Sequence, residues 1–321
     1  MNENFQSFLA QEIKRFIAYK RALGYSYRRA AFTLKNFDRH VGAHAKSNGH
    51  KQLPNLLSSW LSRCSARKSV SVAMDLGTLR QFFKYRRRFH PDGFLPGREW
   101  APQSVKSDFV PHIFSPAQIR TLLNESKGLR YFHRACPAIR VLILILYCTG
   151  LRFGEALRLQ IGDVDLRRRL FFIRESKGRT RWVPFRADLG RELRNYRVLR
   201  DHMASVTSQA PFLVRPDGKE FSAKRASDVI RRLLRRLQLK PARGRTGPRP
   251  YDLRHTFAVH RLVSWHRKGL DVNARLPWLS AYLGHDNIMG TEVYLQATSE
   301  LMHLASQRLR ERLYHREPYE R

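Results

Sequence analysis

Three stretches of this chain hold side chains that could work together on a phosphodiester. The first is Thr149-Gly150-Leu151-Arg152-Phe153-Gly154-Glu155-Ala156-Leu157, and the second is Tyr251-Asp252-Leu253-Arg254-His255-Thr256. The third is Leu283-Gly284-His285, followed by Thr291-Glu292-Val293-Tyr294. Lys177 stands between the first two, on a Ser176-Lys177-Gly178 turn. Arginines, a lysine, a histidine and a late tyrosine suit attack on a phosphodiester by a phenol. In the pentavalent transition state negative charge grows on the non-bridging oxygens. Two guanidiniums can clamp those oxygens bidentately and stay charged at any relevant pH. Preorganised positive charge of this kind is usually the largest catalytic contribution. A free tyrosine ionises only near pH ~10, so nearby cations and a positioned base must help it. The departing 5′-oxygen needs a proton, which a lysine on a mobile turn can deliver. The phosphotyrosine link would conserve the energy of the broken bond, so no metal or other cofactor is expected.

Each of these residues has an ordinary reading when taken alone. Arg152 is one of 61 lysines and arginines. A turn lysine such as Lys177 is ordinarily solvated, and Tyr294 would ordinarily be a packed helix aromatic. His255, beside Arg254, reads as structural, and Tyr282, three residues before His285, reads as core. Only the joint occurrence of Arg152, Lys177, Arg254, His285 and Tyr294 lifts them above those readings.

Composition narrows the partner. The 321 residues carry 61 basic against 26 acidic side chains, a formal net charge of +35. That surplus exceeds what solvating a surface needs and implies a polyanion, with nucleic acid ahead of an acidic membrane surface. DNA binding should then weaken steeply with salt, because phosphate contacts release counterions. Hydrophobic content of 42% and charged content of 27% fit globular domains, and the length suffices for two cores. Cys64, Cys136 and Cys148 have no metal-like or redox spacing and read as reduced thiols in a cytoplasmic protein. The amino terminus lacks a signal-peptide layout. The apolar run Val141 to Cys148 is far shorter than the ~20 residues that span a bilayer.

The elements that must position these residues follow from periodicity. Residues 5–23, Tyr27 to about Ala45, Leu53 to Cys64 and Val70 to Phe89 each place apolar residues at helical spacing. With no strand signal before residue 110, residues 1–100 read as a bundle of about four helices. Its Arg28, Arg29, Lys84, Arg86, Arg87 and Arg88 would offer an exposed basic face to DNA. Six prolines and glycines between Pro91 and Pro111 read as an extended linker, assigned to residues 101–114. Ser115-Pro116 opens the second domain, residues 115–321, as an N-cap with proline at the first helical position. A buried helix over Arg140 to Cys148, broken at Thr149-Gly150, leads to a short helix. Two strand-like runs follow, Leu170 to Arg174 and Thr180 to Phe185, and the rest is mostly helical apart from a loop at residues 240–250. The expected fold is mainly α with one small β-sheet.

It is in these boxes that the chain resembles the tyrosine recombinases, the phage integrase family. Thr149-Gly150-Leu151-Arg152 with Glu155 and Leu157 looks like the family's first arginine box, which makes Arg152 one clamp and Glu155 its buttress. Lys177, at the tip of the predicted hairpin, sits where the family keeps its general-acid lysine. Asp252-Leu253-Arg254-His255-Thr256-Phe257-Ala258 is similar to the second box, which makes Arg254 the other clamp. Leu283-Gly284-His285 and Thr291-x-x-Tyr294 resemble the third box and the nucleophile box. The resemblance spans the whole order of the chain and implies metal- and ATP-independent cleavage and rejoining of DNA at specific sites. A 3′-phosphotyrosyl link on Tyr294 would be the intermediate. It also implies four protomers on two DNA sites, coupled by the tail from Leu301 to Arg321, with accessory recombinases or DNA-bending proteins as further partners. A mobile element is the expected setting.

Two features depart from the family pattern. Tyr251 stands where a histidine, sometimes a lysine, is usual, three residues before Arg254. A phenol can hydrogen-bond at the phosphate but is the poorer base at neutral pH, so more of the general-base assignment falls to His285 than to Tyr251. Arg254 and His285 are also further apart than usual, and the extra residues, Trp265 to Pro277, read as a surface insertion. Two rivals stay open from the sequence: a type IB topoisomerase with the same chemistry and no strand exchange, and a non-catalytic DNA-binding accessory subunit.

Overall fold

The computed structural model describes residues 4–45, 49–63, 67–102, 110–131, 134–176, 179–244 and 246–285, with positions 303, 306, 307 and 310 beyond them. It divides into two compact units, residues 1–109 and 110–321.

The first unit is a bundle of α1 (Ala10–Ala22), α2 (Arg28–His44), α3 (Leu53–Ser62) and α4 (Ser69–Arg86). Ile13, Phe16 and Ile17 of α1, Leu34, Phe37 and Val41 of α2, Leu57 and Trp60 of α3, and Leu79, Phe82 and Phe83 of α4 close a single core. These are the residues that recur every three to four positions in the sequence. Gly24 takes a left-handed φ of +86° just past α1, a conformation that glycine adopts without steric penalty. Two expectations change here. Arg86 does not belong to the exposed basic face. It is buried, and its Nε donates to Glu12 at 2.6 Å, because a guanidinium inside the bundle needs a carboxylate partner. Arg28, Arg29, Lys84, Arg87 and Arg88 are exposed as expected. The proline-rich stretch is also less extended than its composition suggests, since Phe94, Leu95 and Trp100 pack onto the bundle core.

The second unit is organised around α6 (Pro137–Thr149). Val141 to Leu146 are all buried, so this helix is apolar all round and must lie inside. Around it pack α5 (Pro116–Lys127), the short α7 (Phe153–Leu157), α8 (Ala187–Asp201) and α9 (Ala223–Arg236). Ser115 caps α5 in a reciprocal capping box with Gln118, as the Ser-Pro signal predicts. A two-stranded ribbon, β1 (Arg130–Tyr131) and β2 (Arg134–Ala135), precedes α6 and was too short to leave a periodic signal. The three-stranded antiparallel sheet runs β3 (Val164–Asp165), β4 (Leu170–Ser176) and β5 (Arg179–Pro184) in order. Phe171 pairs with Val183, Phe172 with Trp182 and Ile173 with Arg181, and the register shifts between Ile173 and Ser176 before the hairpin tip.

Two further helices, α10 (Asp252–Arg267) and α11 (Val272–Leu283), form the last described pair. The stretch Trp265 to Pro277, read as a surface insertion, is largely exposed but is not irregular: it comprises the end of α10, a turn and the start of α11, with Val272 and Leu276 buried against the same small core as Leu262 and Val263. Gly269 and Asp271 do mark a turn, but Asp271 is the cap of α11, accepting from the Ala274 amide at 3.2 Å. No described helix is long and apolar enough to cross a membrane.

Candidate active site

The site assembles where α6, α7, β5, α10 and α11 meet. α6 ends because Gly150 enters the left-handed region at φ +63°. A Cβ at Gly150 would lie 2.5 Å from the Phe257 ring and 2.8 Å from Leu283, so the position needs glycine twice over. The chain then turns back and presents Arg152 as the N-cap of α7.

Arg152 is mostly buried, and Glu155 holds it twice. Its backbone amide donates to Glu155 Oε2 at 2.9 Å, and its Nη1 donates to Oε1 at 2.8 Å. Its Nη2 donates to the Gly284 carbonyl. Arg254, in the first turns of α10, is buried outright. It donates from Nη1 to the Gly150 carbonyl at 2.7 Å and from Nη2 to the Leu283 carbonyl at 2.8 Å.

A third guanidinium joins them, from a residue that the sequence reading did not single out. Arg181 of β5 donates Nε to the Tyr282 carbonyl at 3.1 Å. It also grips Glu155 with both terminal nitrogens, at 3.1 and 2.9 Å. Strand alternation was the available signal. Arg181, Val183 and Phe185 share one face, and the latter two are buried. A charge on the inner face of a strand is rare unless it is paired.

Three guanidiniums therefore bind three successive carbonyls, those of Tyr282, Leu283 and Gly284, directly ahead of His285. The last four carbonyls of a helix have no partner within it and carry its negative dipole end. The arginines satisfy two of them, Tyr282 and Leu283, together with the Gly284 carbonyl just past α11, and so fix the turn that presents His285. His285 itself is half-buried, and its amide donates to Ser280. Counted over Arg152, Arg181, Arg254 and Glu155, three positive charges meet one negative, leaving a net +2 in a largely water-excluded place. An anion is what such a site can accept.

Tyr251 lies at the N-cap of α10, one turn before Arg254, with its ring exposed and its centroid 5.1 Å from that of His255. His255 is not placed as a base, because burial pushes its pKa down to about 4. The folded pKa thus lies below the ordinary 6.5, so the unfolded chain binds the proton more readily. Stability from this group is complete above pH 6.5 and is lost as pH falls towards 4. His255→Asn should therefore flatten the acid side of the melting profile between those values. An unchanged slope there would refute the assignment. Tyr282, read as core, is partly buried and packs against the core, its hydroxyl donating to the Pro184 carbonyl at 2.9 Å. Burial raises its pKa, which leaves it a poor nucleophile. Cys136 and Cys148 are free thiols pushed up to about 11 by burial. Lys177, Tyr294, Cys64 and all of the tail except positions 303, 306, 307 and 310 lie outside the described residues, whereas Arg152, Glu155, Arg254 and His285 are brought to one locus.

Comparison with known proteins places the chain in a family. Residues 113–300 match the model of the phage integrase family. A putative integrase/recombinase, y4rB, of Sinorhizobium fredii (strain NBRC 101917 / NGR234) is 30% identical over 319 residues, covering 95% of this chain and 98% of the relative. The tyrosine recombinase XerC of Staphylococcus carnosus (strain TM300) is 26% identical over 316 residues, covering 97% and 95%. Among solved structures, the integrase of the Tn1549 transposon in complex with a circular intermediate DNA superposes with a TM-score of 0.66 at 16% identity, covering 93% of this chain and 99% of that one. The XerH site-specific recombinase bound to palindromic difH substrate superposes with a TM-score of 0.63 at 18% identity, covering 89% and 78%. Family model and full-length likeness meet on one conclusion: the chain belongs to the phage integrase family and is a site-specific DNA recombinase of the tyrosine type.

Proposed function

We propose that this recombinase cuts and rejoins the DNA of a mobile element through Tyr294. The observation that carries the reading is the surplus of positive charge that Arg152, Arg254 and Arg181 build around the turn before His285. Arg152 and Arg254 clamp the non-bridging oxygens of the scissile phosphate, with Glu155 orienting the first of them. The Tyr294 oxygen attacks phosphorus, and its proton passes to His285 with Tyr251 beside the phosphate as a hydrogen-bonding group. The bond to the 5′-oxygen breaks, and the Lys177 ammonium supplies the proton that oxygen needs. A 5′-hydroxyl from the partner strand reverses the same steps and reseals the DNA. Four protomers on two sites, joined through the tail from Leu301, complete the exchange.

The mobile-element setting is supported by the relatives named as integrases and by the likeness to a transposon integrase solved with its circular intermediate. Nicked duplexes tiled across the DNA that flanks the coding sequence test the reading. One of them should be captured covalently, and the DNA-linked peptide should map to Tyr294. An adduct on another residue, or specific binding with no adduct on any duplex bound, would overturn it. Relaxation of plasmid that lacks the captured sequence would instead indicate a topoisomerase.

A further inference from the structure

Arg181 of β5 is mostly buried and turned towards protein acceptors at the candidate site. Its side chain is only 13% exposed, and each of its three nitrogens donates to a protein acceptor. Two of them meet the Glu155 oxygens that also receive the Arg152 amide and the Arg152 Nη1. Among the described residues, four hydrogen bonds thus converge on this one carboxylate. The third donor holds the Tyr282 carbonyl, one residue before the Leu283 carbonyl held by Arg254 and two before the Gly284 carbonyl held by Arg152.

Gly284 gives a separate observation. A Cβ there would lie 2.7 Å from Arg181 Nη1 and 2.8 Å from its Cζ. The left-handed turn before His285, at φ +69°, is therefore built with room for this guanidinium. We infer that Arg181 is a positioning residue of strand cleavage. It shares Glu155 with Arg152 so that the carboxylate orients Arg152 without capturing it, and it locks the last turn of α11 so that His285 is held in place. A lysine would keep the charge but lacks the planar fork that reaches both carboxylate oxygens and a carbonyl at once.

This inference rests on Arg152 and His285 acting on the phosphate, and the test separates the two claims. On a nicked duplex that the wild type captures covalently, R181M and R181K are compared with wild type in single-turnover cleavage, DNA affinity and thermal melting. Both variants should cleave about 100-fold more slowly, the scale of a roughly ångström-sized misplacement. Their affinity for the same duplex should be unchanged, since Arg181 acts on the chemical step alone. Adding E155Q to R181M should slow cleavage by less than the product of the two single effects, because both changes act in part through one carboxylate.

Wild-type cleavage by R181K would overturn the inference, as would a loss of DNA affinity equal to the loss of rate. If the Arg181 variants melt below the assay temperature, G284A carries the test. It retains Arg181 but displaces its guanidinium, so it should slow cleavage with affinity preserved, and normal cleavage by G284A would sink the idea. A wild type that captures no duplex refutes the catalytic reading, whereas a capturing wild type with fully active Arg181 variants refutes only the positioning role.

Discussion

Arg254→Ala should cost this enzyme both strand cleavage and stability. The guanidinium is buried and supplies donors to the Gly150 and Leu283 carbonyls. Removing it strands two acceptors in the interior, at about 1–3 kcal/mol for each group left without a partner. Those acceptors belong to the turn that ends α6 and the last turn of α11, so the loss loosens the first box from the third. Cleavage should fall further than stability alone explains. An arginine that neutralises charge on a transferring phosphoryl group is worth about 10³- to 10⁵-fold in rate. Single-turnover capture on a nicked duplex, run well below the melting temperature of the variant, separates the two effects. Arg254→Lys sharpens the result, because it keeps a positive charge but cannot hold both carbonyls and a phosphate oxygen. A variant that melts early but captures DNA at the wild-type rate would make Arg254 a purely structural residue.

Tyr294→Phe should give the opposite profile. The ring is retained and only the hydroxyl is lost, so folding and DNA affinity should match the wild type. Covalent capture should drop below about 10⁻⁴ of the wild-type rate, as when an enzyme loses its only nucleophile. Gel-shift affinity and adduct yield, measured on the same duplex, decide the matter. Persistent adduct in Tyr294→Phe would move the nucleophile elsewhere. Tyr251 would then become the first alternative, since its ring is exposed one helical turn from Arg254. Tyr282 would not, because its hydroxyl is committed to Pro184 and its ionisation is suppressed by burial.

Local order was written in the sequence. Apolar spacing gave the four helices of the first unit within a few residues at each end. Ser115-Pro116 marked the start of α5, and Gly150 marked the end of α6, because caps and left-handed positions depend on one or two residue types. The boxes around Arg152, Arg254 and His285 were equally plain, since their chemistry restricts which residues can stand there. Partnership was not legible. Arg86 looked like one more basic surface residue, and only the folded bundle sets it against Glu12, 74 positions away. Trp265 to Pro277 read only as a surface insertion around the turn residues Gly269 and Asp271, and burial of Val272 and Leu276 shows that its second half is the packed start of α11.

Arg181 is the sharpest case of what tertiary structure alone decided. Its strand was recognised, yet one arginine among 61 basic residues carries no mark of its acceptors. Those acceptors, Glu155 and the Tyr282 carbonyl, lie 26 and 101 positions away in the chain. Residue types and short spacings specify which groups a chain owns and which local conformations they prefer. Which charges share a carboxylate, and which carbonyls they close upon, depends on contacts between distant segments that exist only once the core around α6 has formed.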